Sequence, residues 1–140
     1  MTTRTFVGLA TLTLSAVAQN SDPWFSTFSI IAWDPATQEL GVAVESRAFG
    51  AGAAVPYAKP GVGAVATQAA ANRLYGAKAI ALLEQGLSPA DTVKRITDED
   101  PGRDSRQVAV LDIQGRSAVF TGNTTLTHVC APNTPTPNRF

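Results

Sequence analysis

The stretch of sequence that decides the fold covers residues 27–45 and reads TFSIIAWDPATQELGVAVE. Its first half alternates in the manner of a β-strand, with Phe28 and Ile30 on one face and Thr27 and Ile31 on the other. Asp before Pro at residues 34–35 is typical of a turn. The apolar run at residues 40–45 follows as a second strand. We therefore predict a β-hairpin whose first strand opens at Thr27.

The rest of the chain is predicted to hold three more strands and two helices. A strand of small residues is predicted at 61–68, after a loop rich in Gly, Ala and Pro at 49–56, and further strands at 106–112 and 117–121. A helix of about 14 residues is expected before Gly86, which occupies a C-terminal cap position. Ser88 and Pro89 are typical of the start of a second helix.

The first and fourth predicted strands are apolar on both faces, which indicates an α+β domain with more than one layer. A strand of this kind must be covered on both sides, and two helices can cover only one. The other side requires a second layer, most simply a second sheet. Prolines at 132, 135 and 137 disfavour further regular structure in the tail. We therefore expect the second layer to be missing or to come from another chain.

Composition narrows the classes of function. The 140 residues suit one domain, and the formal net charge of +0 provides no single-sign field for binding nucleic acid. His128 is the only histidine and Cys130 the only cysteine, which excludes a histidine-based catalytic triad and a metal site with several histidines within one chain. No cofactor is expected.

The N-terminal residues are predicted to direct export. Residues 1–18 combine Arg4, a short apolar run and a small-residue cleavage site at 16–18, as in a secretory signal peptide. A disordered or strand-like extension is the alternative. Cleavage after Ala18 would leave a spacer at 19–26, a domain at 27–122 and a disordered tail at 123–140. The mature protein would be periplasmic or extracellular and would have no membrane association.

Four separated motifs resemble the bacterial family known as domain of unknown function 1028. They are residues 27–47, 55–68, 100–112 and 118–122, in this order. The family in turn resembles the N-terminal-nucleophile (Ntn) hydrolases, whose fold is an αββα sandwich. The resemblance covers 27–122 and implies an incomplete version of that sandwich here, because the tail after Gly122 departs from the family pattern. A truncated or frame-shifted product would explain the departure.

The same resemblance implies an amide-bond hydrolase with Thr27 as nucleophile, acting on a small-molecule or peptide amide through a threonine acyl-enzyme. The α-amine of an N-terminal Thr27 would be the base, since such amines titrate at about 7.7–8.0 and need no histidine. Exposing that amine requires a second cut, because Trp24 disfavours signal-peptide cleavage after Ser26. The alternative is an ordinary strand threonine.

Two further residues are candidates beside Thr27. Lys59 would be a cation that lowers the pKa of the nucleophile or amine, and its alternative is a solvated loop lysine. Ser46 would hydrogen-bond the Thr27 amine, or simply cap the end of its strand. Glycines of the 50–63 segment would allow backbone N–H groups to approach an oxyanion, although tight or flexible turns explain them equally well.

A group of acidic residues near position 100 is considered as a calcium site. The run Asp98–Asp100 with Asp104 fails the spacing of a calcium-binding EF-hand, so we expect a solvated helix end.

As an alternative function, the chain would be a non-catalytic exported module or a nonfunctional fragment. It would then form a homo-oligomer through an uncovered sheet face.

Overall fold

The computed structural model describes residues 27–125. The predicted signal peptide, the spacer and residues 126–140 of the predicted tail lie outside this range. The elements in chain order are β1 (Thr27–Asp34), β2 (Glu39–Ser46), α1 (Ala51–Ala54), β3 (Pro56–Lys59), β4 (Gly63–Ala69), α2 (Leu74–Glu84), α3 (Pro89–Asp98), a 3₁₀ turn (Arg103–Ser105), β5 (Arg106–Asp112) and β6 (Ser117–Thr121). The protein is thus a mixed α+β domain with two antiparallel sheets.

The predicted hairpin is confirmed. β1 and β2 pair antiparallel, with Thr27 opposite Ser46 at the open end and Asp34 opposite Glu39 beside the turn. The Asp34 carboxylate accepts a hydrogen bond from the Ala36 N–H at 2.8 Å, and the Asp34 carbonyl accepts one from the Gln38 N–H at 2.8 Å. These bonds explain why an Asp-Pro sequence stops the strand at this point.

The second sheet has the strand order β3-β4-β5-β6, all antiparallel. The bounds predicted for β5 and β6 are confirmed. The predicted loop at 49–56 is wrong in part, because it contains α1 and the first residue of β3. The predicted small-residue strand begins at Gly63 rather than at Gly61, which has a φ of 72° and belongs to the turn after β3. Four-residue elements are too short to show a period, which is why the sequence pattern missed them.

Helices α2 and α3 cover one face of the four-stranded sheet. Their buried side chains meet Val65 of β4 and Val108 and Val110 of β5 in one core, and the helical members are Tyr75, Ala79, Leu83, Val93 and Ile96. α2 has 11 residues rather than about 14 and ends at Glu84, and Gly86, with a φ of 88°, occupies the predicted cap position after it. The predicted cap of α3 is also confirmed, since the Ser88 hydroxyl accepts the Asp91 N–H at 3.1 Å.

The hairpin β1–β2 covers the opposite face of the same sheet. β4 presents Ala64, Ala66 and Gln68 on that side, and the small alanines allow the hairpin to approach closely. The ring of Trp33 lies against Gly115 at the other end of the hairpin. The expectation that the second layer is missing or supplied by another chain is therefore wrong, because the chain's own first two strands form it.

The two-sided burial predicted for β1 is also wrong. Its inner face is half-buried, whereas Phe28 and Ile30 on its outer face are 63% and 60% exposed. The order of layers is therefore helices, four-stranded sheet, hairpin, with the outer face of the hairpin open among the described residues.

Candidate active site at the start of the first strand

Thr27 and Ser46 lie opposite each other at the open end of the hairpin. Their hydroxyl oxygens are 2.7 Å apart, within hydrogen-bond distance, and both residues are half-buried on the inner face. Ser46 Oγ also accepts the Ala48 N–H at 3.0 Å, which fixes the serine hydroxyl in place. The structure thus brings together two of the three predicted catalytic residues, through their hydroxyl groups.

Gln68, the last residue of the strand predicted at 61–68, is a further polar residue at this end that was not predicted as part of the site. It is 9% exposed, and it faces the edge of β1 that is not paired with β2. Oriented to satisfy its neighbours, its side-chain amide donates to the Thr27 carbonyl at 3.1 Å and accepts from the Ser29 N–H at 3.0 Å. It is also hydrogen-bonded to the Ser29 hydroxyl. The Gln68 side chain therefore holds the backbone around Thr27 as a neighbouring strand would.

Lys59 lies at the far end of the domain. It closes β3 opposite Gly63, whereas Gln68, the β4 residue beside Thr27, is five positions further along the strand. At about 3.3 Å per residue this separates the two ends by roughly 16 Å. Lys59 Nζ pairs instead with the Glu84 carboxylate. The structure does not bring Lys59 to Thr27, because the short β3 strand carries its last residue away from the open end of the hairpin.

The glycines of the 50–63 segment shape the backbone. Gly50 and Gly61 have φ values of 78° and 72°, which favour glycine. Gly63 is packed so closely that an added Cβ would overlap the Leu111 carbonyl oxygen and lie 2.8 Å from Leu83 Cδ1. Turn formation and close packing therefore account for Gly61 and Gly63, which agrees with the alternative prediction that these glycines form tight turns.

The acidic run is only partly a solvated helix end. Asp98 and Glu99 are exposed and pair with Lys94, Arg103 and Lys78. Asp100 has a side chain only 11% exposed, which corrects the prediction for this residue. Among residues 27–125, no group of three or more His, Cys, Asp or Glu is arranged to hold a metal ion.

The Asp100 carboxylate accepts hydrogen bonds from four residues, two in α2 and β5 and two in the segments beside them. It accepts from Asn72 Nδ2 at 3.1 Å, the Tyr75 hydroxyl at 2.8 Å, Arg106 Nε at 3.2 Å and the Gly102 N–H at 2.7 Å. Burial acts to raise its pKa, but these donors outweigh burial and lower the pKa to about 2. Burial and the bond to Asp100 both raise the pKa of Tyr75. This cluster ties α2 and the end of α3 to β5, and it is fully occupied with that structural role.

Two surface depressions lie away from Thr27. One, of about 340 Å³, is bordered by Gly61, Glu84, Asp112 and Arg116 at the Lys59 end. The other, of about 120 Å³, lies beside Tyr75, Lys78 and Asp100. Thr27 and Ser46 border neither of these two depressions.

The fold and this site define a class of protein: a domain of two stacked antiparallel sheets in which the first residue of β1 and the last residue of β2 place their hydroxyl groups side by side. The chain belongs to the family of unknown function DUF1028, whose model matches residues 27–135. The family match extends past Gly122, where the divergent tail was predicted to begin. Of that segment, Thr124 is described, and its backbone N–H and hydroxyl both donate to the Asp104 carbonyl, at 2.8 and 2.7 Å.

A solved structure from the same family is similar in fold. The crystal structure of a DUF1028 protein from Silicibacter pomeroyi has a TM-score of 0.71 and 35% sequence identity, over 73% of this chain and 48% of that chain. The present chain thus spans about half the length of that protein. Among curated proteins, none matches the sequence. Within residues 27–125, no helix is long and apolar enough to cross a membrane.

Proposed function

We propose that the protein is an exported amide hydrolase of the Ntn type, with the Thr27 hydroxyl as its nucleophile once Thr27 is the first residue of the chain. The observation that supports this most directly is the position of Thr27. Thr27 is the first residue of β1, in the smaller of the two stacked sheets, and its hydroxyl oxygen lies 2.7 Å from that of Ser46. In this proposal, the helices, the four-stranded sheet and the hairpin are three layers of an αββα sandwich.

The proposed reaction balances with groups of the chain itself. The free α-amine of Thr27 accepts the proton of its hydroxyl while Oγ1 attacks the carbonyl carbon of the substrate amide. The resulting ammonium then gives this proton to the leaving amine nitrogen, and a threonine ester remains. Water, deprotonated by the same amine, hydrolyses the ester and regenerates the hydroxyl. The amine is suited to this task because amines of this kind titrate near neutral pH, at about 7.7–8.0.

Ser46 and Gln68 have supporting roles in this proposal. Ser46 Oγ accepts the Ala48 N–H, so its own proton is available to donate to Thr27 Oγ1 as negative charge develops there. Gln68 fixes the Thr27 carbonyl and thereby the direction of the strand's first residue. Lys59 has no part in the proposed reaction, since it is paired with Glu84 at the other end of the sheet.

A covalent-labelling experiment tests the proposal. The chain is released from a cleavable fusion so that it begins at Thr27, and is treated with a β-lactone, which esterifies activated hydroxyl groups. We expect one adduct on Thr27 by mass spectrometry, a slower adduct in Ser46→Ala, and none in Thr27→Ala. Thr37→Ala, which changes an exposed turn threonine, is the matched control and should label like wild type.

A second chain that begins at Ser26 separates amine-dependent chemistry from general reactivity. It retains the Thr27 hydroxyl but has no free Thr27 amine, so we expect its labelling to fall at least 100-fold. Equal labelling of the two chains, or labelling that persists in Thr27→Ala, would refute the proposal. The N-terminus of the exported protein provides an independent check, since a form that begins only at Gln19 contradicts the required second cut.

A further inference from the structure

The larger of the two surface depressions lies between the C-terminal end of α2 and the turn that joins β5 to β6. Its volume is about 340 Å³, which is within the range of small-molecule sites. No residue of the hairpin borders it, and it lies at the Lys59 end of the four-stranded sheet, away from Thr27. The depression is therefore separate from the hydroxyl pair.

One wall of this depression is the turn that ends α2. Gly86 reverses the chain there with a φ of 88°, and the Leu87 N–H donates to the Leu82 carbonyl at 3.2 Å. Such a closure is typical of helix C-terminal caps, and it holds Leu87 in one position. Leu87 is half-buried and Leu83 is 9% exposed, and both line the depression. This wall is thus apolar and fixed by the backbone.

The other wall is the turn between β5 and β6. Asp112 is 4% exposed, and its carboxylate accepts the N–H groups of Gln114 and Arg116, both at 2.9 Å. Ile113 of the same turn is half-buried and lines the depression together with Val62. Both walls are held by hydrogen bonds within the chain, as expected of a site that is formed before a ligand binds.

Arg116 is the polar group that a ligand would meet. Its Nε donates to the buried Asp112 carboxylate at 2.7 Å, which fixes the plane of the guanidinium. The side chain is still 51% exposed, and within residues 27–125 no group accepts a hydrogen bond from its Nη1 or Nη2. These two nitrogens are the donors with which arginine binds a carboxylate through two parallel hydrogen bonds.

The remaining charges at the border favour an anionic group over a cation. The carboxylate of Glu84 is paired with Lys59 Nζ, and the Asp112 carboxylate already accepts three hydrogen bonds. The two acidic and two basic side chains balance, so no excess charge repels a carboxylate. What remains unused is donor capacity, on the terminal nitrogens of Arg116.

We propose that the larger depression binds a small carboxylate that carries an apolar group. Arg116 holds the carboxylate, and the apolar group covers the apolar side chains of the border, which are Val62, Leu83, Leu87 and Ile113. This inference does not depend on catalysis by Thr27, which lies at the other end of the sheet.

Titration of the full chain with hexanoate, followed by two-dimensional amide NMR, tests this proposal. We expect saturable shifts at residues 61–62, 83–87 and 112–116. Hexanamide has a similar shape without the charge, and acetate lacks most of the apolar group, so each should bind about fivefold more weakly or less. Hexylamine, which carries the opposite charge, should bind no more tightly than hexanamide.

Variants of Arg116 test its role directly. Arg116→Gln can still donate to Asp112 but has no charge, and should weaken hexanoate binding about fivefold. Arg116→Lys keeps the charge without the two-pronged donor, and its affinity should lie between those of Arg116→Gln and wild type. Arg95→Gln, which removes an exposed cation of α3 outside the depression, is the matched control and should bind like wild type.

Melting temperatures show whether each variant is folded, and the comparison of ligands on the wild-type chain decides the question even if a variant unfolds. The proposal is overturned by the absence of saturable hexanoate binding, by equal affinity for hexanoate and hexanamide, by tighter binding of hexylamine, or by full binding in folded Arg116→Gln. Shifts at amides outside residues 27–125 when Arg116 is changed without ligand would assign the depression to the chain itself, and would also overturn it.

Discussion

At the scale of single residues, Thr27 and Asp100 show how surroundings decide the role of a polar side chain. Thr27 is half-buried at the start of β1, and its hydroxyl oxygen has a neighbouring hydroxyl, that of Ser46, at 2.7 Å. The oxygens of Asp100 are engaged by Asn72, Tyr75, Gly102 and Arg106. Hydrogen-bond capacity already filled by the protein is unavailable to a ligand.

Replacement of Asp100 by Asn is expected to destabilise the domain by about 2–4 kcal/mol at pH 7. The side-chain amide of asparagine has one acceptor oxygen, whereas the Asp100 carboxylate accepts four hydrogen bonds. The substitution would also remove the negative charge that pairs with the Arg106 guanidinium. Urea unfolding measures the difference. Asp98→Asn is the matched control, because Asp98 is exposed, and its midpoint should stay close to that of wild type.

The contribution of Asp100 to stability should depend on pH in a defined window. Its pKa is lowered from the ordinary 3.8 to about 2, so the folded state favours the ionised form. The stabilisation, about 2 kcal/mol for a shift of this size, is present above pH 4 and is lost as the pH falls toward 2. The difference between wild type and Asp100→Asn should therefore shrink over that range. A difference that is constant from pH 7 to pH 2 would contradict the assignment.

At the scale of elements, the contact between α2 and β3 depends on a glycine. Gly76 is buried in α2, and an added Cβ would overlap the ring of Tyr57. Alanine in a helix normally gains up to about 1 kcal/mol over glycine. Here we expect Gly76→Ala to destabilise by about 1–3 kcal/mol, because the aromatic ring must move within a packed interface. Thermal or urea unfolding measures the effect.

Two variants test the cause of that loss. Gly52→Ala places a methyl group in α1 where no atom lies within 4 Å, and should be neutral or slightly stabilising. Combining Gly76→Ala with Tyr57→Leu should cost less than the sum of the two single changes, since the smaller side chain relieves the overlap. Strict additivity would indicate that the ring contact is not the cause.

The longer elements could be predicted from local sequence, and the shorter ones could not. Burial alternates along most of β1 and β5, β6 is a short apolar run, and α3 has Ser88 and Pro89 at its start. α1 and β3 have four residues each and lie in a segment rich in Gly, Ala and Pro. They form because the hairpin and β4 hold them in place, which is a tertiary effect.

At the scale of the whole molecule, the order of layers predicts an order of local stability. β4 and β5 are covered by helices on one side and by the hairpin on the other, and Val65 and Val110 are fully buried. The hairpin has two strands, and within residues 27–125 its outer face is open. Hydrogen exchange followed by NMR should therefore show the slowest amides in β4 and β5 and markedly faster exchange in β1 and β2. Equal protection of both sheets would indicate that the outer face is covered in solution.

The candidate site was predictable only in part. Thr27 and Ser46 were expected together because they end the two strands of a hairpin, whose register is local. Lys59 was expected beside them, but its position follows from the pairing of β3 with β4 and could not be read from its neighbours in sequence. Gln68 was missed for the same reason, since its partners Thr27 and Ser29 are more than 35 residues away in the chain.

The sequence by itself determined the hairpin that begins at Thr27, the cap of α3, the strands β5 and β6 and the need for a second layer. Each of these follows from residues close together in the chain: alternation, a turn at Asp34–Pro35, a Ser88 cap and apolar residues on both faces of a strand. Only the tertiary structure decided which segment supplies the second layer, which end of the sheet holds Lys59, and that Phe28 and Ile30 face outward. These depend on how the sheets stack, because alternation divides the residues of a strand between two faces but does not say which face is covered.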